Sequence, residues 1–320
     1  MSADSPNPRY LIVIIGSLVV CQLLLAGVFG FKPSFRAGYF MPPVVDTPNN
    51  GSTNLSQQRR LELEALLLPP PNLTWTDESV DGALPLGSKA VDGIISDGGN
   101  NIKIKPVYFE NLPDLKSLTV DERKKSFTAV LLPLILRANN ELIERRTLII
   151  KDAERGDLNK LRQWAELYRI KIDDADIDEL RDVLLLRVDK LPVSLALAQS
   201  AIESGWGTSR FAVKGNALFG QWAWSNDQGL KPAEARYDNA VVRSFSNLFD
   251  SVRAYMHNLN THPSYENFRR LRQREEIDIN TLTSALDSYS EEGDIYIEKL
   301  RSMVEVNEFT LFDNAELLSE

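Results

Sequence analysis

The sequence predicts a mainly α-helical domain with one small β-hairpin lobe, carried behind an N-terminal membrane-spanning helix and a long tether. Three observations support this fold class. An uncharged apolar run lies near the start of the chain, a segment rich in Pro, Gly and Asn follows it, and apolar residues recur at helical spacing from about residue 119 onward. With 320 residues, the chain has room for one good-sized domain with extra segments, or at most two small domains.

The predicted membrane anchor is residues 10–31, YLIVIIGSLVVCQLLLAGVFGF, which contain no charged side chain. A run of this length can cross a hydrocarbon core of about 30 Å as a helix. The apolar part of a cleaved secretory signal usually spans only about 7–15 residues, so the length favours an uncleaved anchor. Cleavage near Ala26 and Gly27 remains an alternative. Basic residues flank the run on both sides, so charge alone does not orient it.

Residues 32–118 are predicted to be a linker. The segment contains Pro42-Pro43, Pro69-Pro70-Pro71 and Gly98-Gly99. Its apolar residues do not recur over any long stretch at the strand period of 2 or the helix period of 3.6 residues. A tether of some 85 residues can carry a domain well away from a bilayer. Short strand-like pieces such as residues 102–108 can pack on the domain that follows.

Helical patterning begins at Thr119, which with Glu122 has the spacing of a capping box. Apolar residues then follow at helical intervals, and Pro133 is predicted to kink this helix. Residues 310–320 are expected to form a C-terminal tail after the domain. Further helices are predicted over residues 157–169, 176–188, 192–204, 247–260, 263–273, 279–288 and 292–306.

Residues 218–245 differ from the helical segments around them. They contain two aromatic or β-branched runs, FGQWAW and AVVRSF, joined by a stretch rich in turn-forming residues. Two such runs around a turn are typical of a β-hairpin. A small hairpin lobe inserted in a helical domain is therefore predicted.

Composition excludes several classes of function. The net charge is −9, which argues against a nucleic-acid-binding protein, because such proteins usually carry a basic face. The only cysteine, Cys21, lies inside the apolar run, and the chain has two histidines, His257 and His262. A Cys- or His-rich metal centre and a Ser-His-Asp triad are therefore not expected, and no cofactor is predicted.

One carboxylate stands out in the apolar helix predicted over residues 192–204. Pro192 suits the first helical position, and Gly205 supplies a residue that can end the helix. Gln199 and Glu203 are four residues apart, and with Trp206 they form a polar and aromatic edge. This edge is predicted to line a cleft.

The predicted surroundings of Glu203 favour a protonated carboxyl group. The negative end of the helix dipole and the apolar face of Trp206 both disfavour an anion, and both raise the pKa. A carboxylic acid that keeps its proton near neutral pH can act as the general acid in glycosidic bond cleavage. The alternative is a glutamate at a helix end that points into solvent.

The stretches LALAQSAIESGWGTSRFA and GNALFGQW resemble the N-acetylglucosaminidase domain of glycoside hydrolase family 73. The later stretches VRAYMHNLNTHPSYENFRRLR and LDSYSEEGDIYIEKLRSMV resemble more specifically the Bax-type proteins of Gram-negative bacteria. The resemblance covers roughly residues 119–309, which are the predicted domain. It implies a lysozyme-like α domain with a small β lobe that hydrolyses β-1,4 bonds after N-acetylglucosamine in peptidoglycan.

On this resemblance Glu203 corresponds to the catalytic acid of the family. The second carboxylate of the family lies in the β lobe, where this chain offers Asp227, Glu234 and Asp238, and Glu234 is preferred. A glutamate expected nearer the second strand is absent from DNAVVRSF. Inverting, retaining and substrate-assisted mechanisms therefore all stay open.

The remaining candidate site residues are expected to bind the glycan. Aromatic rings suit stacking against sugar faces, although core packing is the alternative for each of them. Two tyrosines and one asparagine match residues of the family that border its cleft. The predicted substrate-binding residues are Trp206, Asn216, Phe219, Trp222, Trp224, Tyr289 and Tyr296.

Three functions are compatible with these features. The first is a peptidoglycan N-acetylglucosaminidase, with residues 1–9 in the cytoplasm, residues 10–31 in the inner membrane and the domain in the periplasm. The second is a lytic transglycosylase, which also uses one glutamate at a helix end but leaves an anhydro product. The third is a catalytically weak, glycan-binding scaffold of the envelope.

Overall fold

The computed structural model describes residues 73–76, 95–98, 101–171, 174–223, 229–232, 241–274 and 276–318, all within the compact unit Gly38–Glu320. The predicted anchor, residues 10–31, and most of the predicted linker lie outside these residues. In the part of the chain that is described, no helix combines the length and the apolar character needed to cross a bilayer.

The fold is mainly helical, as predicted. Three 3-10 helices, Pro263–Tyr265, Ser284–Tyr289 and Phe309–Phe312, accompany the α-helices of the described residues. The α-helices are α1 (Val120–Glu154), α2 (Leu158–Leu167), α3 (Ile177–Arg187), α4 (Val193–Ser204), α5 (Arg210–Gly215), α6 (Leu248–Thr261), α7 (Glu266–Arg272), α8 (Ile279–Thr283) and α9 (Asp294–Val306).

Most predicted helices are confirmed to within two residues at each end, but two of them are divided. The helix predicted over residues 263–273 begins as a 3-10 turn at Pro263 and becomes α-helical only at Glu266. The helix predicted over residues 279–288 changes to a 3-10 helix after Thr283, where Leu286 departs from helical geometry with a φ of −111°. Helix α5 was not among the predicted helices.

Helix α1 is the centre of the fold. The predicted capping box is confirmed, because the Thr119 hydroxyl accepts from the Glu122 amide and the Glu122 carboxylate accepts from the Thr119 amide at 3.0 Å. The helix runs through Pro133, where a kink was predicted, without being divided. Every residue from 126 to 136 is buried, so packing on all sides holds the helix together where Pro133 removes one backbone hydrogen bond. Helices α2, α3, α4 and α6 pack against α1.

Helix α4, which carries Glu203, is fixed at its start by residues from distant parts of the chain. Pro192 is the N-cap residue, not the first helical residue as predicted, and it offers no capping side chain. The Asp313 carboxylate caps the helix instead, accepting from the backbone amide and from the hydroxyl of Ser194, both at 2.8 Å. Just before the helix, the buried Asn139 side chain bonds both the amide and the carbonyl of Leu191.

The β lobe is a three-stranded antiparallel sheet. Strands β5 (Trp222–Ala223) and β7 (Val241–Arg243) pair as the predicted hairpin requires, with Trp222 opposite Val242. Strand β6 (Gly229–Leu230) pairs on the other edge of β7, so the sheet has one strand more than predicted. A side chain at Gly229 would collide with the carbonyl oxygen of Val242, and this close approach explains the glycine there.

Two further small sheets involve residues before α1, and one of them also includes a strand near the C-terminal end of the described chain. Strand β1 (Trp75–Thr76) pairs in parallel with β4 (Tyr108–Phe109). Strand β3 (Asn101–Ile104) pairs antiparallel with β2 (Ile95–Gly98) and parallel with β8 (Glu316–Leu317).

Residues on both sides of the predicted domain pack into its core. Tyr108, Phe109, Leu112 and Leu115 are buried, although the sequence assigned residues 32–118 to a linker. Phe309 is buried as well, and the 3-10 helix Phe309–Phe312 packs on α4. The packed part of the chain therefore extends beyond residues 119–309 in both directions.

Candidate functional site

Glu203 lies in the last turn of helix α4, as the sequence predicted. The helix ends at Gly205, whose φ of 59° and ψ of 48° are left-handed. Trp206 and Gly207 continue with positive φ angles of 56° and 73°, so three consecutive residues turn the chain away sharply. A side chain at Gly207 would collide with Leu115, so the second glycine of the Gly-Trp-Gly motif also permits close packing.

The carboxyl group of Glu203 is enclosed by protein while the residue keeps partial exposure. Burial raises its pKa from the ordinary 4.5 to about 8, and the negative charge of Glu292 contributes in the same direction. A hydrogen bond from the Tyr296 hydroxyl and the charge of Lys299 oppose this rise. Burial as a cause of a raised pKa, which the sequence analysis inferred, is thereby confirmed.

A chain of hydrogen bonds leads to Glu203 from the interior. The Tyr255 hydroxyl donates to the side-chain oxygen of Gln199 at 2.6 Å. The side-chain NH₂ of Gln199 donates to the Tyr296 hydroxyl oxygen at 3.0 Å. Tyr296 in turn donates to Glu203. The three hydrogen bonds are all donated in the direction of the carboxyl group. Together they stabilise the negative charge that remains after its proton leaves. The sequence indicated Gln199 through its spacing from Glu203, but it gave no signal for Tyr255.

Gly220, the glycine of the LFG motif, contacts the catalytic candidate directly. Its φ is +64°, and a side-chain carbon built on it would lie 3.1 Å from Oε2 of Glu203. The segment before the β lobe is therefore pressed against the carboxyl group, at a position where only a residue without a side chain fits easily. This contact brings the Glu-Ser-Gly-Trp-Gly and Leu-Phe-Gly motifs of this chain together.

Tyr289 and Phe219 complete the wall behind the carboxyl group. The Tyr289 ring stacks on Tyr296 with centroids 5.5 Å apart, and its hydroxyl donates to the Phe219 carbonyl at 3.2 Å. The Phe219 ring stacks on Tyr255 at 3.9 Å. Tyr289, Tyr296 and Phe219 are each at most 2% exposed, so they support the site from within. Direct contact of these three residues with substrate stays a prediction.

Trp206 packs on the helical core. Its ring lies against Phe127 and Phe309, with centroid distances of 5.7 and 6.1 Å, and the Lys124 ammonium lies 5.2 Å from its centroid. Tyr296 and Gly220 lie against the carboxyl of Glu203, and the contact of Trp206 with that carboxyl stays a prediction. Sugar binding by Trp206 stays a prediction.

Asn216 and Trp222 occupy different surroundings. Asn216 caps helix α5 with a φ of 50°, and its buried amide group donates to the side chain of Asn111 at 3.0 Å. Its amide group therefore holds residues before α1 against the start of the β lobe.

Trp222 lies on β5 and lines a pocket beside helix α6. The substrate contacts predicted for both residues remain predictions.

The predicted second carboxylate, Glu234, lies outside the described residues, as do Trp224, Asp227 and Asp238. Among the described carboxylates, Glu292 affects the charge state of Glu203, and it forms an ion pair of 2.7 Å with Lys299. Within the same described ranges, no group of three or more His, Cys, Asp or Glu residues is arranged to hold a metal ion.

This arrangement can deliver a proton. A carboxyl group with a pKa of about 8 is mostly protonated at pH 7, and partial exposure lets an external oxygen approach it. The hydrogen bond from Tyr296 becomes stronger as the carboxyl group loses its proton, so the enclosure that retains the proton does not prevent its release.

Comparison with known proteins gives two matches. The glucosaminidase family model, described as mannosyl-glycoprotein endo-beta-N-acetylglucosaminidase, matches residues 184–309, which include Glu203, Gly220 and Tyr296. Protein bax of Escherichia coli (strain K12) is 31% identical over 214 residues, covering 62% of this chain and 75% of that protein. No solved structure matches the chain.

The raised pKa of Glu203 predicts a pH-dependent gain in stability for Glu203→Gln. Because the folded-state value of about 8 exceeds the ordinary 4.5, the wild-type protein loses stability as pH rises between these values. Glutamine carries no charge, so the variant should unfold with a free energy about 1–3 kcal/mol higher at pH 7, a range that allows for partial exposure. Urea unfolding at pH 4, 7 and 8 measures the difference, which should vanish at pH 4.

Glu298→Gln is the matched control, because Glu298 is exposed on α9. Its unfolding free energy should change little at any of the three pH values. A Glu203→Gln gain that is the same at pH 4 and pH 8 would contradict the raised pKa.

The close approach of Gly220 predicts that Gly220→Ala disturbs the acid. Alanine costs about 1 kcal/mol at a left-handed position, and the added methyl group would also displace the Glu203 carboxyl. Gly156→Ala is the matched control, since Gly156 has a φ of +70° and its added carbon meets only Ile177 at 3.9 Å. Both variants should lose similar stability, but only Gly220→Ala should change the pH dependence of unfolding. Identical pH profiles would rule out the predicted contact.

Proposed function

Because the chain belongs to the Bax-type proteins, which carry a glucosaminidase domain, we propose that it hydrolyses the β-1,4 bond after N-acetylglucosamine in peptidoglycan. In this proposal Glu203 is the general acid. The observation that carries it is the enclosed yet accessible carboxyl group, which has a pKa of about 8 and lies against Tyr296 and Gly220. The proposed site is lysozyme-like, with an acid at a helix end that faces a small β lobe.

The proposed reaction begins with proton transfer from Glu203 to the glycosidic oxygen as its bond to the anomeric carbon breaks. About nine in ten molecules hold this proton at pH 7 if the pKa is about 8. The carboxylate that remains accepts the hydrogen bond from Tyr296. Water then adds its hydroxyl group to the anomeric carbon, and its proton passes to a base. We propose Glu234 as that base, with the acetamido group of the substrate as the alternative nucleophile.

The experiment is digestion of purified peptidoglycan by the full-length protein, followed by mass spectrometry of the fragments. We expect fragments that end in reducing N-acetylglucosamine, and a loss of rate of about 10²–10⁴-fold in Glu203→Gln. Glu298→Gln, which changes an exposed carboxylate on α9, should retain the wild-type rate.

Other outcomes would identify another function. Fragments with anhydro ends would identify a lytic transglycosylase, which uses Glu203 without water. Binding of glycan without any release of fragments would indicate a scaffold. An unchanged rate in Glu203→Gln would exclude Glu203 as the acid in either reaction.

We also propose that residues 10–31 anchor the chain in the inner membrane, with the domain in the periplasm. The charge-free run and a cell-wall substrate are what support this placement. In a Gram-negative host, the full chain should sediment with the inner membrane, and protease added to spheroplasts should digest the domain. Deletion of residues 10–31 should remove the protein from the membrane fraction. A domain that is protected from protease until the membrane is lysed would disprove the proposed orientation.

A further inference from the structure

The pocket that Trp222 lines lies near the proposed acid, between the β lobe and helix α6. Its lining includes Arg169, which follows α2, residues Gln221, Trp222 and Arg243 of the β lobe, and residues His257 and Asn258 of α6. Gln221 directly follows Gly220, which contacts the Glu203 carboxyl. Consecutive Cα atoms are about 3.8 Å apart, so the pocket and the acid are neighbours along one short stretch of backbone.

The pocket is positively charged, although the chain as a whole is acidic. Four arginines act on His257, namely Arg145, Arg169, Arg243 and Arg253. Arg145 and Arg253 both pair with the buried Glu141, whose single carboxylate offsets part of their charge. Arg169 and Arg243 are exposed, and neither forms an ion pair with a carboxylate of the described residues. Two guanidinium groups at the pocket are therefore available to an anion.

The uncharged groups of the pocket also determine which ligands it favours. Gln221 is 8% exposed, and its side-chain carbonyl oxygen is fully enclosed, so this residue contributes to the wall of the pocket. Burial and the surrounding arginines lower the pKa of His257 to about 3, so its imidazole is neutral and offers one donor and one acceptor. Trp222 supplies an apolar surface beside these groups.

We propose that this pocket is a subsite for a carboxylate carried by the lactyl ether substituent on the glycan, which is either the free lactyl carboxylate or a carboxylate of the peptide amide-linked to it. The proposal rests on the proposed function and names the substrate class of that site. A carboxylate pairs with Arg169 and Arg243, and the neutral His257 imidazole offers the same substituent one donor and one acceptor. Glycan strands that carry this substituent are thereby distinguished from uncharged strands of N-acetylglucosamine alone.

The test measures binding to the full-length Glu203→Gln protein, which leaves the probes intact. Three tetrasaccharides serve as probes. One contains only N-acetylglucosamine, one alternates it with lactyl-bearing sugars whose carboxylates are free, and one carries peptides on those carboxylates. Calorimetry should show that at least one charged probe binds about 10-fold more tightly than the uncharged one, with an affinity that falls as salt is added. Which charged probe binds better identifies the free or the peptide-borne carboxylate as the ligand.

Charge removal should abolish this preference. When Arg169→Gln and Arg243→Gln are added to the Glu203→Gln protein, affinity for the preferred charged probe should fall about 10-fold. Affinity for the uncharged probe should stay unchanged. Arg270→Gln is the control, because Arg270 is exposed on α7 and pairs with Glu266. If charged and uncharged probes bind equally, or if the two substitutions affect all probes alike, the subsite is disproved.

The two histidines provide an independent measurement. An anion beside His257 should shift its imidazole NMR signals and raise its pKa, while His262, which does not line the pocket but feels the charge of Arg169, should shift less. Equal shifts in both histidines, or none in His257, would overturn the proposal. None of these measurements requires catalysis. Charge-dependent binding by a protein that releases no fragments would support the subsite and refute the hydrolase, whereas an active hydrolase without charge preference would refute only the subsite.

Discussion

The enclosure of one carboxyl group, that of Glu203, is the constraint on which the site depends. Withdrawal from water raises its pKa to about 8, and the Tyr296 hydroxyl limits that rise. These two effects oppose each other because burial favours the neutral acid and the hydrogen bond favours the carboxylate. A general acid needs both, since it must hold a proton in the resting protein and tolerate its loss during reaction.

Two glycine-containing turns make the enclosure possible. Gly205, Trp206 and Gly207 reverse the chain immediately after Glu203, and Gly220 brings the β-lobe segment against the carboxyl from another direction. Positive φ angles at these positions allow close approach that residues with side chains would obstruct. Trp206 is the exception in this group, and its ring is held by contacts with Phe127, Phe309 and Lys124. Folding of the helical core therefore stabilises the backbone turn beside the acid.

Local signals predicted the parts of the site that lie close together along the chain. The end of α4 at Gly205, the position of Glu203 in its last turn, and the spacing of Gln199 are properties of one helix. The three-stranded β lobe was only partly predicted, because a two-residue strand such as β6 has too few residues to show a period. Asn216 illustrates a different limit. Its match to a family residue was visible in the sequence, but its bond to Asn111 depends on packing between distant segments.

The sequence by itself identified Glu203 as the candidate acid and determined where its helix would end and that the domain would be mainly helical. Only the tertiary structure decided what surrounds the acid. Asp313 caps the start of α4 from 119 residues away, and Tyr296 meets Gln199 across 97 residues. The Thr119 capping box and the spacing of side chains on one helix act within a few residues, so they can be identified from the sequence. Burial and hydrogen bonds between distant segments arise only when the core has assembled, and these set the proton affinity of Glu203.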